Sequence, residues 1–297
     1  VVTVAEDGTL NLVATGNAVI TVTAPETDAF ETATKLITVQ VNQYYEIDAD
    51  GNKVFYKSAD KKVSDGMYTD VDGKYLVKSG IAVTGLASYW ASTYYFSENT
   101  DSLGIMTTSK LMVIDDNAYY FGEDGKAKKG TFTVDGKSYY ANSNFQLQSG
   151  LVSRWASLYY YDTETYAMDS DTFKLVEGKT YYFGSNGAAA SGNFTVDGDE
   201  YYASSDHSLA SGFVSRWASK YYYDTTTFKM VKGFTTIDVD GESVLYHFEL
   251  SSGRASNGWF TEDGNKYYAK DGVVQKGEIT IWFVTYSLDE ETGALIQ

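Results

Sequence analysis

From residue 44 onward, pairs of adjacent aromatic residues recur at a short, regular spacing. Six such doublets start 20, 20, 22, 20 and 20 residues apart, at Tyr119, Tyr139, Tyr159, Tyr181, Tyr201 and Tyr221. Asp-Gly and Asn-Gly pairs lie between the doublets, flanked by alternating apolar and polar residues, and this pattern is the strongest short-range indication of a β-hairpin. Each sub-repeat is therefore predicted to form a short strand, a tight turn and a second strand.

A longer repeat is superimposed on these hairpins. The sequence SRWAS at 153–157 returns at 215–219, and a variant, SYWAS, occupies 88–92. With a decayed copy around Trp282, the central tryptophans lie 65, 62 and 65 residues apart, and a fixed period of this kind marks a repeat architecture. We therefore predict an all-β fold in which four units of about 62–65 residues, each of three hairpins, form an elongated, solenoid-like stack over 43–297.

The aromatic residues explain why such hairpins would stack. A single two-stranded hairpin is marginal in water, whereas stacked hairpins can bury their aromatic faces on one another. One aromatic side chain buries about 150–250 Å², which at about 25 cal/mol per Å² stabilises the fold by several kcal/mol before entropy is subtracted. Because no sustained 3.6-residue period occurs in 43–297, helix content is predicted to be low.

Residues 1–42 have a different pattern, in which β-branched residues alternate with polar ones. The segments 18–23 and 36–41 are predicted to be half-buried strands, and Asp7-Gly8 supplies a turn. This segment resembles the C-terminal half of a bacterial immunoglobulin-like domain, and the resemblance implies a partial β segment that serves as a spacer. The chain opens on a strand-like run, Val1–Val4, which favours a segment excised from a longer protein.

Charge and composition restrict the partners. The 297 residues carry 23 Lys and Arg against 40 Asp and Glu, a formal net charge of −17, which repels phosphate backbones and anionic membrane surfaces. Nucleic acid is therefore excluded, and no membrane insertion is predicted because no apolar run reaches about 18 residues. Cysteine is absent, which excludes disulfides, a thiolate nucleophile and cysteine-based zinc sites. Neutral glycans and cationic ligands stay open.

The spacing of aromatic pairs and glycines resembles the cell-wall-binding repeats of Gram-positive bacteria. An aromatic pair is followed by two glycines, as at Tyr119-Tyr120, Gly125 and Gly130, and most fully over 258–277, which begins Gly-Trp-Phe. This superfamily includes choline-binding repeats, the glucan-binding repeats of glucosyltransferases and the repeats of large clostridial toxins. The resemblance implies a non-catalytic hairpin solenoid that binds choline, wall sugars or glucans between neighbouring hairpins.

Two departures from the family pattern bear on the ligand. The family's Gly-Trp pair is present only at Gly258-Trp259, and its place is taken elsewhere by Gly130-Thr131-Phe132 and Gly192-Asn193-Phe194. A choline cage needs about three electron-rich rings around one ammonium group, so this replacement argues against choline. In addition, SRWAS is not part of the usual pattern, and we interpret it as an insertion that sets local specificity.

The tryptophans and their neighbours are the candidate ligand-binding residues. A partly exposed indole can stack on the apolar face of a pyranose ring while an adjacent arginine donates hydrogen bonds to its hydroxyl groups. The alternative is that each tryptophan plugs the core of its hairpin and that the arginine pairs with Asp162 or Asp224. The candidates are Trp90, Arg154, Trp155, Tyr159, Arg216, Trp217, Tyr221, Trp259 and Trp282.

No catalytic, metal or cofactor site is predicted. His207 and His247 occupy no repeated position, and the acidic turns at 48–50 and 238–240 lack the full calcium-loop pattern. These turns are therefore interpreted as plain hairpin turns. Adjacent carboxylates such as Asp115-Asp116 point to opposite faces of a strand, which argues against the carboxylate pair of a glycoside hydrolase.

Together these features predict a non-catalytic module that attaches an extracellular or bacterial surface protein to a polysaccharide or cell-wall glycan. Several weak sites along one stack would act together through avidity. The alternatives are a passive stalk, or an adhesin segment that binds a host surface glycan or protein. Full burial of all four repeat tryptophans would favour the stalk, and turnover assays on glycans would detect a glycoside hydrolase.

Overall fold

The computed structural model describes residues 2–12, 16–41, 44–58, 61–70 and 72–296. The chain divides into two compact units, Val1–Gln148 and Ser149–Gln297, and each is described by itself. The predicted domain boundary between residues 42 and 43 lies outside the described residues and stays a prediction.

The first unit is built from short strands, as the hairpin pattern predicts. Its described residues form sixteen strands and one short 3₁₀ helix, Thr100–Ser102. The strands are β1 Val2–Val4, β2 Leu10–Leu12, β3 Gly16–Ala24, β4 Ala33–Val41, β5 Tyr44–Ile47, β6 Lys53–Ser58, β7 Lys61–Lys62, β8 Gly66–Asp70, β9 Gly73–Lys78, β10 Ile81–Ala82, β11 Gly85–Tyr89, β12 Ser92–Phe96, β13 Lys110–Ile114, β14 Asn117–Phe121, β15 Gly130–Val134 and β16 Lys137–Ala141.

The second unit is built in the same way, with fifteen strands and no helix among its described residues. The strands are β17 Gly150–Arg154, β18 Ser157–Tyr161, β19 Thr172–Val176, β20 Lys179–Phe183, β21 Gly192–Val196, β22 Asp199–Ala203, β23 Gly212–Arg216, β24 Ser219–Tyr223, β25 Gly233–Val239, β26 Glu242–Phe248, β27 Gly258–Glu262, β28 Asn265–Lys270, β29 Val273–Val274, β30 Gly277–Ile281 and β31 Val284–Leu288.

Consecutive strands pair antiparallel, and most pairs are separate two-stranded hairpins. Two larger sheets occur, in the orders β5-β6-β10-β9-β8, with β7 on β6, and β25-β26-β29-β28-β27. The predictions of an all-β hairpin repeat and of low helix content are therefore confirmed.

The N-terminal segment forms two hairpins of its own, β1–β2 and β3–β4. The strands β3 and β4 pair along nine residues, which confirms the strands predicted there. One face of this hairpin, with Ala18, Ile20, Val39 and Val41, is partly buried, and most of its other side chains are exposed. The resemblance of residues 1–42 to an immunoglobulin-like domain stays a prediction.

The regular hairpins share one geometry, in which two five-residue strands are joined by a two-residue turn. In the hairpin of β21 and β22, Val196 pairs with Asp199, and the turn residues Asp197 and Gly198 have φ angles of 52° and 89°. Positive φ at both central residues is the mark of a type I′ turn, whose twist matches that of the flanking strands. Asp-Gly suits this turn because glycine adopts positive φ without strain.

Backbone hydrogen bonds join each hairpin to the next. Leu209, which follows β22, donates its N–H to the carbonyl of Thr180 in β20 at 2.8 Å, and Met230 donates to Glu200 in β22 at 2.7 Å. The same bond recurs along both units, with the donors Met106, Ala127, Leu147, Ala189, Ala255 and Leu295. Successive hairpins within a unit are therefore held in a fixed register, which is the stacking that the repeat predicts.

The residue that pairs with the first residue of the first strand is the most buried position of a hairpin. Residues at this position are at most 1% exposed: Phe96, Phe121, Ala141, Tyr161, Phe183, Ala203, Tyr223, Phe248, Ala269 and Leu288. Where the residue is alanine, the third residue of the first strand is phenylalanine, as Phe194 is in the hairpin of Ala203. Where it is aromatic, that third residue carries no ring, as Lys174 in the hairpin of Phe183. One ring or the other therefore fills this layer.

The two members of a tyrosine doublet have different neighbours. Tyr181 is buried in its own hairpin, whereas the half-buried Tyr182 contacts the next hairpin, with its ring centroid 5.3 Å from that of Phe194. Tyr202 likewise contacts Tyr223 of the next hairpin at 6.2 Å. The second ring of the doublet thus links the hairpins, because adjacent residues of a strand point to opposite faces.

An aspartate caps the loop that follows three of the hairpins. Asp224 accepts hydrogen bonds at Oδ1 from the N–H of Thr226 at 3.0 Å, the N–H of Thr227 at 2.6 Å and the Thr227 hydroxyl at 2.8 Å. Asp162 and Asp289 make the corresponding bonds. These bonds lower the pKa of Asp224, and the bond from the Thr227 backbone N–H makes the largest contribution.

We expect this cap to make the second unit sensitive to acid. Because the folded-state pKa of Asp224 lies below its unfolded value of about 3.9, the stabilisation is present above that pH and is lost as pH falls through the folded pKa. Asp224→Asn should therefore lower the melting temperature at pH 6 and flatten its fall below about pH 4. Asp263→Asn, in a hairpin turn, is the matched control, and equal acid curves for wild type and Asp224→Asn would contradict this role.

Candidate functional site

Four tryptophans lie at the tips of hairpins and are almost fully exposed. Trp90, Trp155, Trp217 and Trp282 are 83%, 93%, 96% and 89% exposed, and Phe283, beside the last, is 100% exposed. An indole this exposed buries almost none of its surface. The alternative that each tryptophan plugs the core of its hairpin is therefore wrong.

Each tip has the backbone of the Asp-Gly turns. Trp217 and Ala218 have φ angles of 51° and 60°, and they connect Arg216 to its strand partner Ser219. Trp-Ala thus replaces Asp-Gly in a turn of the same length, so the interpretation of SRWAS as an insertion is wrong. Positive φ strains a bulky residue by about 1 kcal/mol or more, and no burial offsets this cost.

Trp259 differs from the four tip tryptophans, because it lies within β27. Its ring packs edge-on against Tyr268, with centroids 5.1 Å apart, and against Tyr286 of the following hairpin at 4.9 Å. The Nζ atom of Lys266 lies 4.7 Å from the Trp259 centroid. This residue links two hairpins, and its contact with a ligand stays a prediction.

Arg216 lies between the rings of two successive hairpins. Its Cζ atom is 4.0 Å from the ring centroid of Tyr202 in β22, and 4.2 Å and 5.9 Å from those of Tyr221 and Tyr223 in β24. Its Nη1 donates to Oδ1 of Asn193 at 2.6 Å, and its Nη2 donates to the Tyr223 hydroxyl at 2.8 Å. We call the rings of Tyr202, Tyr221 and Tyr223 the Arg216 box.

The contacts of Arg216 differ from the arginine–aspartate pair that the sequence analysis considered. Asp224 binds the Thr227 loop instead, so the arginine–aspartate alternative is wrong for Arg216. Burial raises the pKa of Tyr223 to about 12, so its hydroxyl keeps its proton while it accepts from the guanidinium. Because Tyr221 is buried and covered by Arg216, its contact with a ligand stays a prediction.

Arg154 has the same place in its own hairpin. Its Cζ atom lies 4.3 Å from the ring centroid of Tyr159 and 5.7 Å from that of Tyr161. Asp162, the partner considered from the sequence, accepts hydrogen bonds from Thr165. The tip tryptophan and its preceding arginine therefore serve different surfaces: the indole faces solvent, and the guanidinium covers tyrosine rings. Ligand contacts of Arg154 and Tyr159 stay predictions.

Further cations that the sequence did not single out also cover aromatic rings. The Nζ atom of Lys53 lies 3.7 Å and 4.4 Å from the ring centroids of Tyr45 and Tyr75, and that of Lys220 lies 3.9 Å from the centroid of Phe213. Each of these cations and rings lies within one unit. The interior of both units thus pairs its own cations with its own rings.

The strand position of Arg154 and Arg216 could have indicated from the sequence that they pack between hairpins. Arg154 and Arg216 are the last residues of their first strands, on the face that the hairpin buries. Five other hairpins have a β-branched residue at this position, Ile114, Val134, Val176, Val196 and Ile281, whereas three have Asp70, Tyr89 or Glu262. An arginine in a register position that is apolar in most hairpins predicts that its stem packs and that its charged end finds a partner inside the seam.

Within the described ranges, a buried cluster around His247 comes nearest to a catalytic arrangement. Its Nδ1 lies 2.6 Å from Oγ of Ser256, its Nε2 lies 2.6 Å from Oε2 of Glu262, and its ring stacks on Phe260 at 4.1 Å. His247 and Ser256 are each 3% exposed, so a substrate has no path to the hydroxyl group. We interpret the cluster as hydrogen bonding that supports the packing of β26 on its neighbours.

In the described ranges, no group of three or more His, Asp or Glu side chains is arranged to hold a metal ion. No helix among the same residues has the length and the apolar character needed to cross a bilayer.

Two hairpins match a known family model. Residues 171–189 and 257–272 match the model described as "Putative cell wall binding repeat". These two hairpins are therefore similar to cell wall binding repeats. The first match spans β19 and β20 together with Ala189, whose N–H bonds back to the preceding hairpin, and the second spans β27 and β28. The matched sequence pattern is therefore the hairpin of this fold, as the resemblance implied.

Curated relatives of the repeats occur in streptococci. The chain is 26% identical over 207 residues to Glucosyltransferase-S of Streptococcus mutans serotype c, a match that covers 62% of this chain and 14% of the relative. It is 28% identical over 254 residues to Glucosyltransferase-I of Streptococcus downei, covering 68% of this chain and 16% of the relative. The chain thus spans about one-sixth or less of the length of these relatives.

Two solved structures from Streptococcus pneumoniae have a similar fold. CbpJ from Streptococcus pneumoniae TIGR4 aligns with a TM-score of 0.59 at 19% identity, covering 86% of this chain and 100% of CbpJ. Choline binding protein F from Streptococcus pneumoniae aligns with a TM-score of 0.50 at 22% identity, covering 80% of this chain and 100% of that protein. At these identities the likeness concerns the fold alone.

Proposed function

We propose that this chain is a non-catalytic carbohydrate-binding module, and that the tip tryptophans Trp90, Trp155, Trp217 and Trp282 contact the glycan. The observation that carries the proposal is the near-complete exposure of these indoles in strained turns. A flat, exposed indole is suited to the apolar face of a pyranose ring, which it covers without having to strip the sugar's hydroxyl groups of water. Burial of the indole does not offset this backbone strain, which points to a role in binding.

The ligand class follows from charge and from the relatives. A net charge of −17 disfavours polyanions such as nucleic acid and anionic lipid surfaces. The relatives are named as glucosyltransferases, and their match to this chain supports a glucan or another neutral wall glycan. The parent protein is then a secreted or surface protein of a Gram-positive bacterium, held to its polysaccharide by several weak contacts.

Retention on insoluble glycans tests the proposal. The chain is passed over peptidoglycan, cross-linked dextran and starch, with cellulose as a comparison matrix, and its fold is checked by circular dichroism. We expect retention on at least one of the first three and elution by the soluble form of that glycan. A folded chain that passes through all of them would remove the proposal, and hydrolysis of any glycan would refute the non-catalytic part.

Two observations on this chain distinguish the proposed function from the passive stalk and from the host-protein adhesin. A passive stalk would have buried repeat tryptophans, whereas the tips are exposed. An adhesin segment would be retained by host surface proteins and would not be eluted by a soluble glycan. A passive stalk does not explain why four copies of one strained turn carry an exposed indole.

A further inference from the structure

The Arg216 box has the geometry of a binding site for a small cation. Its three rings surround the guanidinium carbon at 4.0, 4.2 and 5.9 Å, within the distance of about 6 Å at which a ring face attracts a positive charge. Tyr202 belongs to one hairpin, and Tyr221 and Tyr223 belong to the next. The box is thus a cage formed where two hairpins meet.

The occupant is held by more than ring contacts. Nη1 and Nη2 of Arg216 donate to Asn193 and to the Tyr223 hydroxyl at 2.6 Å and 2.8 Å. The planar guanidinium makes directional hydrogen bonds while it stacks on a ring, which an ammonium group cannot match. Because the cation is also tethered to the chain, a free ligand competes against an effective concentration of millimolar or more. A free ammonium ligand would therefore have to displace a better-placed occupant.

The first unit fills a cage of its own in the same way. The Nζ atom of Lys53 lies 3.7, 4.4 and 5.7 Å from the ring centroids of Tyr45, Tyr75 and Phe55. It also donates a hydrogen bond to the Tyr75 hydroxyl at 2.8 Å. Two cages in two units therefore carry a cation from the chain itself.

Arg216 is not needed to form a hairpin. At the same strand position the hairpins of β19–β20 and β21–β22 carry Val176 and Val196, and their strands pair in the same register. The position thus tolerates a side chain that brings no charge. The role of the arginine is consequently to be sought in the space that its guanidinium occupies.

We propose that Arg216 closes an aromatic cation site between two hairpins, and that this internal occupant makes the site refuse quaternary ammonium ligands. Removal of the guanidinium leaves the three tyrosine faces free to contact another cation, such as a trimethylammonium group. Arg216 is then a specificity-determining residue, because its guanidinium closes the cage to quaternary ammonium ligands. This proposal concerns a different set of residues from the tips and does not depend on glycan binding.

The test compares choline binding by wild type and by Arg216→Ala, using choline chloride and NMR or calorimetry. We expect no saturable binding to wild type at this cage, and a gain in Arg216→Ala with a Kd of about 1–10 mM, as three ring contacts allow. Methylguanidinium should compete with choline for the opened cage. The added substitution Tyr202→Ala should abolish the gain, which locates it at the cage.

Matched variants keep the result interpretable. Arg254→Ala removes an exposed arginine of the same unit with the same change in net charge, and it should bind no more choline than wild type. Arg216→Lys retains a tethered cation and should stay closed. If Arg216→Ala does not fold, Arg216→Val, which copies Val196 of the preceding hairpin, takes its place. A folded Arg216→Ala without a gain, or equal choline binding by wild type, Arg254→Ala and Arg216→Ala, would overturn the proposal.

Discussion

Converting three tips of the second unit, Trp155-Ala156, Trp217-Ala218 and Trp282-Phe283, into Asn-Gly is expected to reduce glycan retention by about 100-fold or more. Buried tryptophan contacts are among the most costly to remove at an interface, at roughly 2 kcal/mol or more each, and loss of several weak sites also removes their avidity. The measurement is the apparent Kd on whichever glycan retains the wild type, by affinity electrophoresis. Single-tip variants should lose less than the triple variant.

The same variant is expected to become more stable. Asn-Gly is the preferred pair of a type I′ turn, and it relieves strain of about 1 kcal/mol at each tip. The midpoint of urea unfolding should therefore rise with each converted tip while retention falls. These opposite signs separate a lost binding surface from a damaged fold, because damage would lower both quantities.

A turn without tryptophan provides the control for this experiment. Asp197→Asn changes a type I′ tip of the same unit, and it should leave both retention and stability close to wild type. Retention of the glycan by the triple-tip variant at wild-type strength would show that the tips are not the binding surface. A fall in stability on conversion of the tips would show that the indoles contribute to folding.

The hairpins could be predicted because their signals are local. Alternation along five residues and a turn pair at Asp197-Gly198 specify a strand, a turn and a strand without reference to the rest of the chain. The same signals do not distinguish the turn within a hairpin from the loop that connects two hairpins. Asp124-Gly125 and Asn186-Gly187 lie in such connecting loops. Both places need positive φ, and glycine supplies it in either.

The turn position of the tryptophans and the Arg216 box could not be predicted, because in both a residue type lies at a strand or turn position where it is rarely found. Tryptophan in a type I′ turn contradicts turn preference, so the sequence left open whether Trp155 and Trp217 are exposed or plug the core of their hairpins. The tyrosine faces around Arg216 come from two hairpins, and one-sequence reasoning does not give the contact between them. The apolar residues at the equivalent position, such as Val196, were the one available indication.

Phe183→Ala is expected to be among the most destabilising single substitutions in the second unit. Phe183 is fully buried, and its ring contacts Tyr160 of the preceding hairpin and Tyr181 of its own, with centroids 6.1 and 6.2 Å apart. Removing a buried phenylalanine ring costs about 3–5 kcal/mol. Because each hairpin rests only on its neighbours, the loss should open the chain locally first, which hydrogen exchange at Tyr182 and Leu209 would detect.

The sequence itself indicates how this loss could be repaired. In the next hairpin the equivalent of Phe183 is Ala203, and Phe194 supplies the ring from the third position of the first strand. Lys174 occupies that third position beside Phe183, so Lys174→Phe should restore part of the stability lost by Phe183→Ala. In the wild-type background the same substitution overfills the layer and should cost about 1–3 kcal/mol.

A double-mutant cycle on unfolding free energies measures the exchange of one ring for the other. We expect the pair to be more stable than the sum of the single effects by roughly 1–3 kcal/mol, since the two residues share one buried layer. Phe173→Ala, at a ring that is 40% exposed, is the control and should cost distinctly less than Phe183→Ala. Additive single effects would mean that the two ring positions do not fill a common space. The alternation of phenylalanine and alanine along the repeat would then need another cause.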